Sequence, residues 1–175
     1  MKTIGQLCFV VSSIALAACS TVRVSTDYDR LTTFEKYKTY GWAAQASANA
    51  ALDGAVRGAV DQALAAKGLK KQEGKRPDLY AVYHFTGASK AGTKHYTDWG
   101  QPGSGYYAGW AVTTQTDAAI DRAKPGALVL DFVDGRRQQL VWRSVTPQVA
   151  AGAKGDDTQR AKGAVKAMLA GFPPK

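Results

Sequence analysis

This 175-residue chain is poor in the residues that usually carry chemistry. It has two cysteines, two histidines and two methionines. Both cysteines, Cys8 and Cys19, fall near the start. Beyond Cys19 there is no thiol for a disulfide, so that part must fold on its hydrophobic core alone. His84 and His95 belong to no His-x-x-x-His pair, and no Asp/His spacing of the zinc type is present. His84 sits in a β-patterned segment, where a histidine beside a polar neighbour is the ordinary case. Gly-x-Ser-x-Gly is missing, and Gly103-Ser104-Gly105 reads as a flexible tripeptide. The closeness of His95 and Asp98 to Ser104 along the chain is not triad geometry. There is no phosphate-binding glycine loop. No apolar run approaches the roughly 20 residues of a transmembrane helix. These absences predict no metal, no cofactor and no catalytic residues.

What is present begins with Met1 and Lys2, followed by the apolar stretch Leu7-Cys8-Phe9-Val10-Val11 and then Ile14-Ala15-Leu16. That is the layout of a signal peptide. The stretch closes on Leu16-Ala17-Ala18-Cys19-Ser20, which resembles the lipobox of bacterial lipoproteins. The resemblance implies diacylglycerol on the Cys19 thiol, cleavage before Cys19, and acylation (palmitate) of the new amine. Cys8 lies too close to the start for this role. Each buried methylene contributes roughly 0.8 kcal/mol, so two or three acyl chains anchor almost permanently. In Gram-negative bacteria an Asp after the lipidated cysteine favours inner-membrane retention. Ser20 in its place implies the outer membrane. Residues 1–18 are therefore expected to be removed, 19–26 to be the lipidated N-terminus and first strand, and 27–175 to form one domain.

Lysine and arginine number 23 against 14 acids, a net charge of +9, and Lys2 is the one charge before Cys19. A basic envelope protein can lean on anionic lipid or cell wall, whereas nucleic acid is not expected in that compartment. The basic residues are scattered. Their one cluster, Lys67, Lys70, Lys71, Lys75 and Arg76, reads as a solvated helix end.

Along the mature chain, residues 20–26 read as extended, and Tyr37 to Trp42 as a short strand. Leu52, Ala55, Val56, Ala59, Val60, Ala63 and Leu64 carry helical spacing, with Asn49 or Asp53 at the start and Gly68 as the left-handed stop. Gln72 to Pro77 is a polar turn. Asp78 to Thr86 reads as a strand. Ala127 to Val133 and Gln138 to Thr146 read as a hairpin. A three-residue connection there would put Leu128, Leu130, Phe132, Leu140 and Trp142 on one face. Asp156-Asp157-Thr158 caps a second helix with the stripe Ala161, Ala164, Val165, Met168 and Leu169. This order predicts an α+β fold, a mainly antiparallel sheet with two helices packed on one face, preceded by the cleaved signal peptide.

Several stretches together resemble the bacterial lipoproteins grouped as domain of unknown function 4136. They are Val24-Ser25-Thr26-Asp27-Tyr28-Asp29, Phe34 through Trp42, Lys67-Gly68-Leu69, Pro77-Asp78-Leu79, Gly126 through Asp131, Leu140-Val141-Trp142-Arg143 and Phe172-Pro173-Pro174. The resemblance implies a lipid-anchored α+β envelope domain and carries no activity.

Two features invite a functional reading. The carboxylates Asp131 and Asp134 could serve an envelope hydrolase, although Asp134-Gly135 is also what a hairpin turn requires. Asp27 and Asp29 are expected to organise a turn or pair with Arg30. Tyr96, Trp99, Tyr106, Tyr107 and Trp110 lie among glycines in 87–110, where aromatic faces could stack on a ligand. The function expected is that of a non-enzymatic, lipid-anchored envelope module, structural or binding an envelope protein or cell-wall glycan. The alternative is a carboxylate-dependent hydrolase.

Overall fold

The computed structural model describes residues 22–43, 49–86, 126–147, 149 and 156–174. Its strands are β1 (Ser25–Tyr28), β2 (Thr39–Trp42), β3 (Lys70–Lys71), β4 (Leu79–Phe85), β5 (Leu128–Asp134) and β6 (Gln139–Thr146). The helices are α1 (Ala50–Ala66) and α2 (Asp157–Met168). One sheet runs in the order β1-β6-β5-β4-β2-β3. The pairs β1–β6, β6–β5 and β5–β4 are antiparallel, whereas β4–β2 and β2–β3 are parallel. The fold is α+β with a mostly antiparallel sheet, as the order of elements predicts.

Both helices are bounded by the residues expected. The Asn49 side chain accepts from the Leu52 N–H at 3.0 Å. At the other end Gly68 takes φ 84°, its N–H reaches the Ala65 carbonyl, and the Leu69 N–H reaches the Leu64 carbonyl. That is the Schellman pattern, closed by Leu64 and Leu69 in the core. Asp156 caps α2 through the N–H groups of Thr158 and Gln159. The α1 stripe Leu52, Val56, Val60 and Leu64 and the α2 stripe Ala161, Ala164, Val165 and Met168 meet Leu128, Leu130, Phe132 and Trp142 of the sheet. Phe172 closes this core, with ring centroids 4.7 Å from Phe132, 5.4 Å from Trp142 and 5.9 Å from Phe34. Among the described residues no helix is long and apolar enough to cross a membrane.

Three details differ from the sequence reading. The first strand begins at Ser25, where pairing with Val145 starts. The second begins at Thr39, because Phe34–Lys36 form a 3-10 turn in which the Tyr37 N–H reaches the Phe34 carbonyl. The β5–β6 hairpin turns through four residues, Gly135 to Gln138, not three, and a bulge beside Phe132/Val133 absorbs the extra one. Phe132 and Trp142 share a face as expected, and here they are direct partners. Leu140 pairs with Val133 instead and leaves the Leu128 face.

Candidate functional site

The chain path creates one groove. From β2 it runs through α1 to β3, which pairs parallel on the outer side of β2, while β4 lies on the inner side. Residues 72–77 must therefore recross β2. They do so over Gly41, where a Cβ would lie 3.0 Å from the Gln72 carbonyl oxygen and 3.1 Å from the Pro77 ring. Tyr40 is buried in the core, so Gly41, its neighbour on the strand, turns to the opposite face. A second close approach fixes the far end of the arch. A Cβ on Gly135 would lie 2.0 Å from the Pro77 carbonyl oxygen, and the Gly135 N–H donates to the Asp78 carbonyl at 2.7 Å. Asp78 takes the N–H groups of Lys38 and Thr39 and the Thr39 hydroxyl. Burial works against its charge, but these donors outweigh it and hold its pKa below the usual carboxylate range.

Around this arch and the outer edge of β2 lies a groove of about 590 Å³, lined by Trp42, Arg57 and Lys71 on the helix side of the sheet and, with Gly41, by Tyr80, Lys75 and Arg76 on the arch side. Its inner wall is tightly held. Asp61 of α1 accepts from the Tyr40 hydroxyl, the Trp42 indole N–H and the Lys71 ammonium at 2.9, 2.9 and 3.1 Å. The Tyr40 pKa is pushed up by burial and by its bond to Asp61, and Lys71 is raised chiefly by Asp61. One turn or two earlier on α1, Asp53 accepts from Arg57 and from the Tyr83 hydroxyl. Burial opposes the Asp53 charge, but Tyr83 and Arg57 prevail and lower its pKa. The Arg57 guanidinium stacks 4.6 Å from the Trp42 ring centre, and Tyr83 meets that ring edge-on at 6.1 Å. The outer wall differs. Lys75 and Arg76 are exposed and have no carboxylate partner among the described residues. The Tyr80 hydroxyl has no hydrogen-bond partner there either. Glu73 is mostly exposed and reaches Lys71 at 3.6 Å.

The basic cluster is therefore not one solvated helix end. Lys67 caps α1, but Lys71 joins Asp61, and Lys75 and Arg76 form the groove wall. A larger trough of about 1030 Å³ runs between α1 and α2. It is floored by small residues such as Gly54, Gly58 and Gly163, and among the described residues no unsatisfied buried polar group lines it.

The carboxylates considered for hydrolysis do not converge. Asp131 is 3% exposed and bound in two-pronged fashion by Arg143 at 2.7 and 2.8 Å. Asp134 accepts from the Tyr37 hydroxyl, the N–H groups of Arg136 and Arg137, and the Arg137 guanidinium. Burial would raise its pKa, but these donors lower it well below the ordinary value. Tyr37 is pushed up by burial and by Asp134. Asp29 organises the following turn through the Leu31 and Thr32 N–H groups and the Thr32 hydroxyl, and its cation is Arg137, 4.0 Å away. Among the described residues no group of His, Cys, Asp and Glu is placed to hold a metal. Cys19, Tyr96, Trp99, Tyr106, Tyr107 and Trp110 lie outside the described residues.

The groove residues were missed in the sequence because four segments supply them. Two signals were available: Asp53, Arg57 and Asp61 at i, i+4, i+8 on one helix face, and a glycine between Tyr40 and Trp42.

No curated protein matches the chain. A solved DUF4136 family protein from Bacteroides thetaiotaomicron is similar in fold, with a TM-score of 0.52 at 16% identity, covering 85% of this chain and 94% of that one. A PDZ domain protein from Parabacteroides distasonis gives a TM-score of 0.56 at 15% identity. That match covers 88% of this chain and 36% of the other, so the chain spans little more than a third of that protein's length. At such identities the likeness concerns the fold alone. The family model DUF4136, a domain of unknown function, matches residues 24–174, and the chain belongs to that family.

Proposed function

We propose that the protein is a non-enzymatic binding module of the bacterial cell envelope. Lipid on Cys19 holds it in the outer membrane, and the domain faces the periplasm. The observation that carries this reading is the contrast inside one small domain. Asp131 and Asp134, the carboxylates suited to acid–base work, are each saturated by a structural cation. Lys75 and Arg76 have no carboxylate partner among the described residues and share a groove with Tyr80 and an oriented Trp42. A general acid needs a raised carboxylate pKa, and the resolved shifts of Asp53, Asp78, Asp134 and Asp156 all go down. Held charges with a rigid aromatic surface suit recognition rather than turnover.

The test is crosslinking and pull-down from intact cells. Native protein is compared with Lys75→Glu/Arg76→Glu in the groove and with Trp99→Ala/Trp110→Ala in the other aromatic stretch. Recovery of one partner or glycan that disappears in the groove variant is expected. Identical, nonspecific recovery from all three would overturn the reading. The anchor is checked on the same cells: Cys19→Ala should lose palmitate labelling and leave the membrane fraction.

A further inference from the structure

We infer that the groove around the 72–77 arch takes an anionic saccharide, a sugar chain bearing carboxylate or phosphate groups. The inference rests on the binding-module reading and names its ligand class.

Charge sets the sign of the ligand. Arg57 and Lys71 are matched by Asp53 and Asp61 on α1. Among the described residues that leaves Lys75 and Arg76 as the wall's charges without a carboxylate partner, against one acid, Glu73, which is 83% exposed and turned to Lys71. Two adjacent cations so placed favour anionic groups and disfavour a neutral or cationic ligand.

An aromatic ring sets the rest. Tyr80 pairs with Gly41 and so stands on the arch side of the sheet, while Trp42 is held on the helix side by Asp61 and Arg57. On the arch side Tyr80 offers one ring and a hydroxyl with no hydrogen-bond partner among the described residues. A bare inorganic anion has no use for a ring face. The C–H face of a sugar stacks on it, and its hydroxyls suit the Tyr80 oxygen. A volume of about 590 Å³ falls within the roughly 300–1,000 Å³ range of small-ligand sites.

Topology separates the groove from the anchored strand end. Five residues lie between Cys19 and Ser25, a leash of roughly 17 Å at full extension. It ties the β1 edge to the bilayer. The groove lies between β4 and β3, three to five strands away across the sheet, or about 14–24 Å. The row through Ser25 crosses β4 at His84, and Tyr80 lies four residues before it, another 13 Å or so down the strand. Ser25 and Tyr80 thus lie at diagonal corners of the sheet, so the groove is far from the strand end that leads to Cys19.

The experiment is isothermal titration of the full lipidated protein in a polyoxyethylene detergent. The probes are trigalacturonate, neutral galactotriose, inorganic phosphate, phosphatidylglycerol in the micelles and a short single-stranded oligonucleotide. Trigalacturonate should bind, and galactotriose should bind at least about tenfold more weakly. Lys75→Ala/Arg76→Ala should cost trigalacturonate about tenfold or more with an unchanged melting temperature. Tyr80→Ala should weaken trigalacturonate and leave phosphate untouched. Equal binding of the neutral sugar, full affinity in the double variant, or tighter binding of phosphatidylglycerol or the oligonucleotide would overturn the saccharide assignment. If saccharide binding fails while Lys75→Glu/Arg76→Glu still loses its crosslinked partner, the ligand class is wrong and the binding module stands. If both fail, both fall.

Discussion

Two acidic centres in this domain are built from the same parts and do different work. Asp134 accepts from Tyr37 and a cation, and Asp61 accepts from Tyr40 and a cation. At Asp134 the remaining acceptor positions are filled by backbone N–H groups of the hairpin turn, and the side chain is 5% exposed. At Asp61 the third donor is the indole of Trp42, and the side chain is 28% exposed at the edge of the groove. The first centre fastens one part of the fold to another. The second positions an aromatic ring beside solvent. A charged residue can thus serve the fold or a site with nearly identical bonds, and what separates the roles is whether the last donor is backbone or a surface side chain.

The closed extreme of this comparison is Asp131–Arg143, and breaking it should have the largest effect. Arg143→Ala would leave a buried carboxylate without its cation, a loss of about 3–5 kcal/mol in chemical denaturation. The double substitution Asp131→Leu/Arg143→Leu should recover most of that loss. If the single variant is nearly as stable as the native protein, the pair does not hold the sheet.

Asp134→Asn should cost less, about 2 kcal/mol, because the amide keeps one acceptor for the turn and the Arg137 partner is partly exposed. It also gives the comparison a pH signature. The folded pKa of Asp134 is depressed. Its contribution is therefore fully present above the unfolded value of about 3.9 and is lost as pH falls through the lower folded value. The stability curves of native and variant should run parallel near neutrality and converge below about pH 4. A gap that stays constant down to strong acid would show that the carboxylate charge is not what matters.

Asp61→Asn should be milder still, about 1 kcal/mol, since Lys71 sits at a partly exposed rim. It should loosen Trp42, read as a red shift and greater quenching by acrylamide in the native-minus-variant tryptophan fluorescence. An unchanged spectrum would mean that Arg57 and Tyr83 alone fix the ring.

How much of this was readable beforehand follows from the same distinction. α1 and α2 were legible because their stripes and both kinds of end signal, Asn49, Gly68 and Asp156, are local. β4 and the β5–β6 hairpin were legible from alternation, and so was the shared face of Phe132 and Trp142, although not their pairing. The bulge that moves Leu140 was not, because a four-residue turn around Asp134 is closed by Tyr37, far away in sequence. β3 was invisible: Lys70 and Lys71 have no apolar pattern and become a strand only by pairing with β2. The groove depends on that pairing, because the arch must recross β2, and so it could not be seen in any single segment.

The smallest stability effect is the sharpest form of the comparison. Lys75 and Arg76 form no ion pair among the described residues, and neither is buried. Replacing both by alanine should change folding stability by less than about 0.5 kcal/mol. It even relieves a chain with a net charge of +9 of two like charges. Nothing in the fold requires a lysine and an arginine side by side on a loop held down at Gly41 and Gly135. A fold-neutral double variant that loses ligand would separate site from scaffold. A double variant that unfolds would instead place these cations with Asp134 among the fasteners of the fold, and the open groove would lose its charge argument.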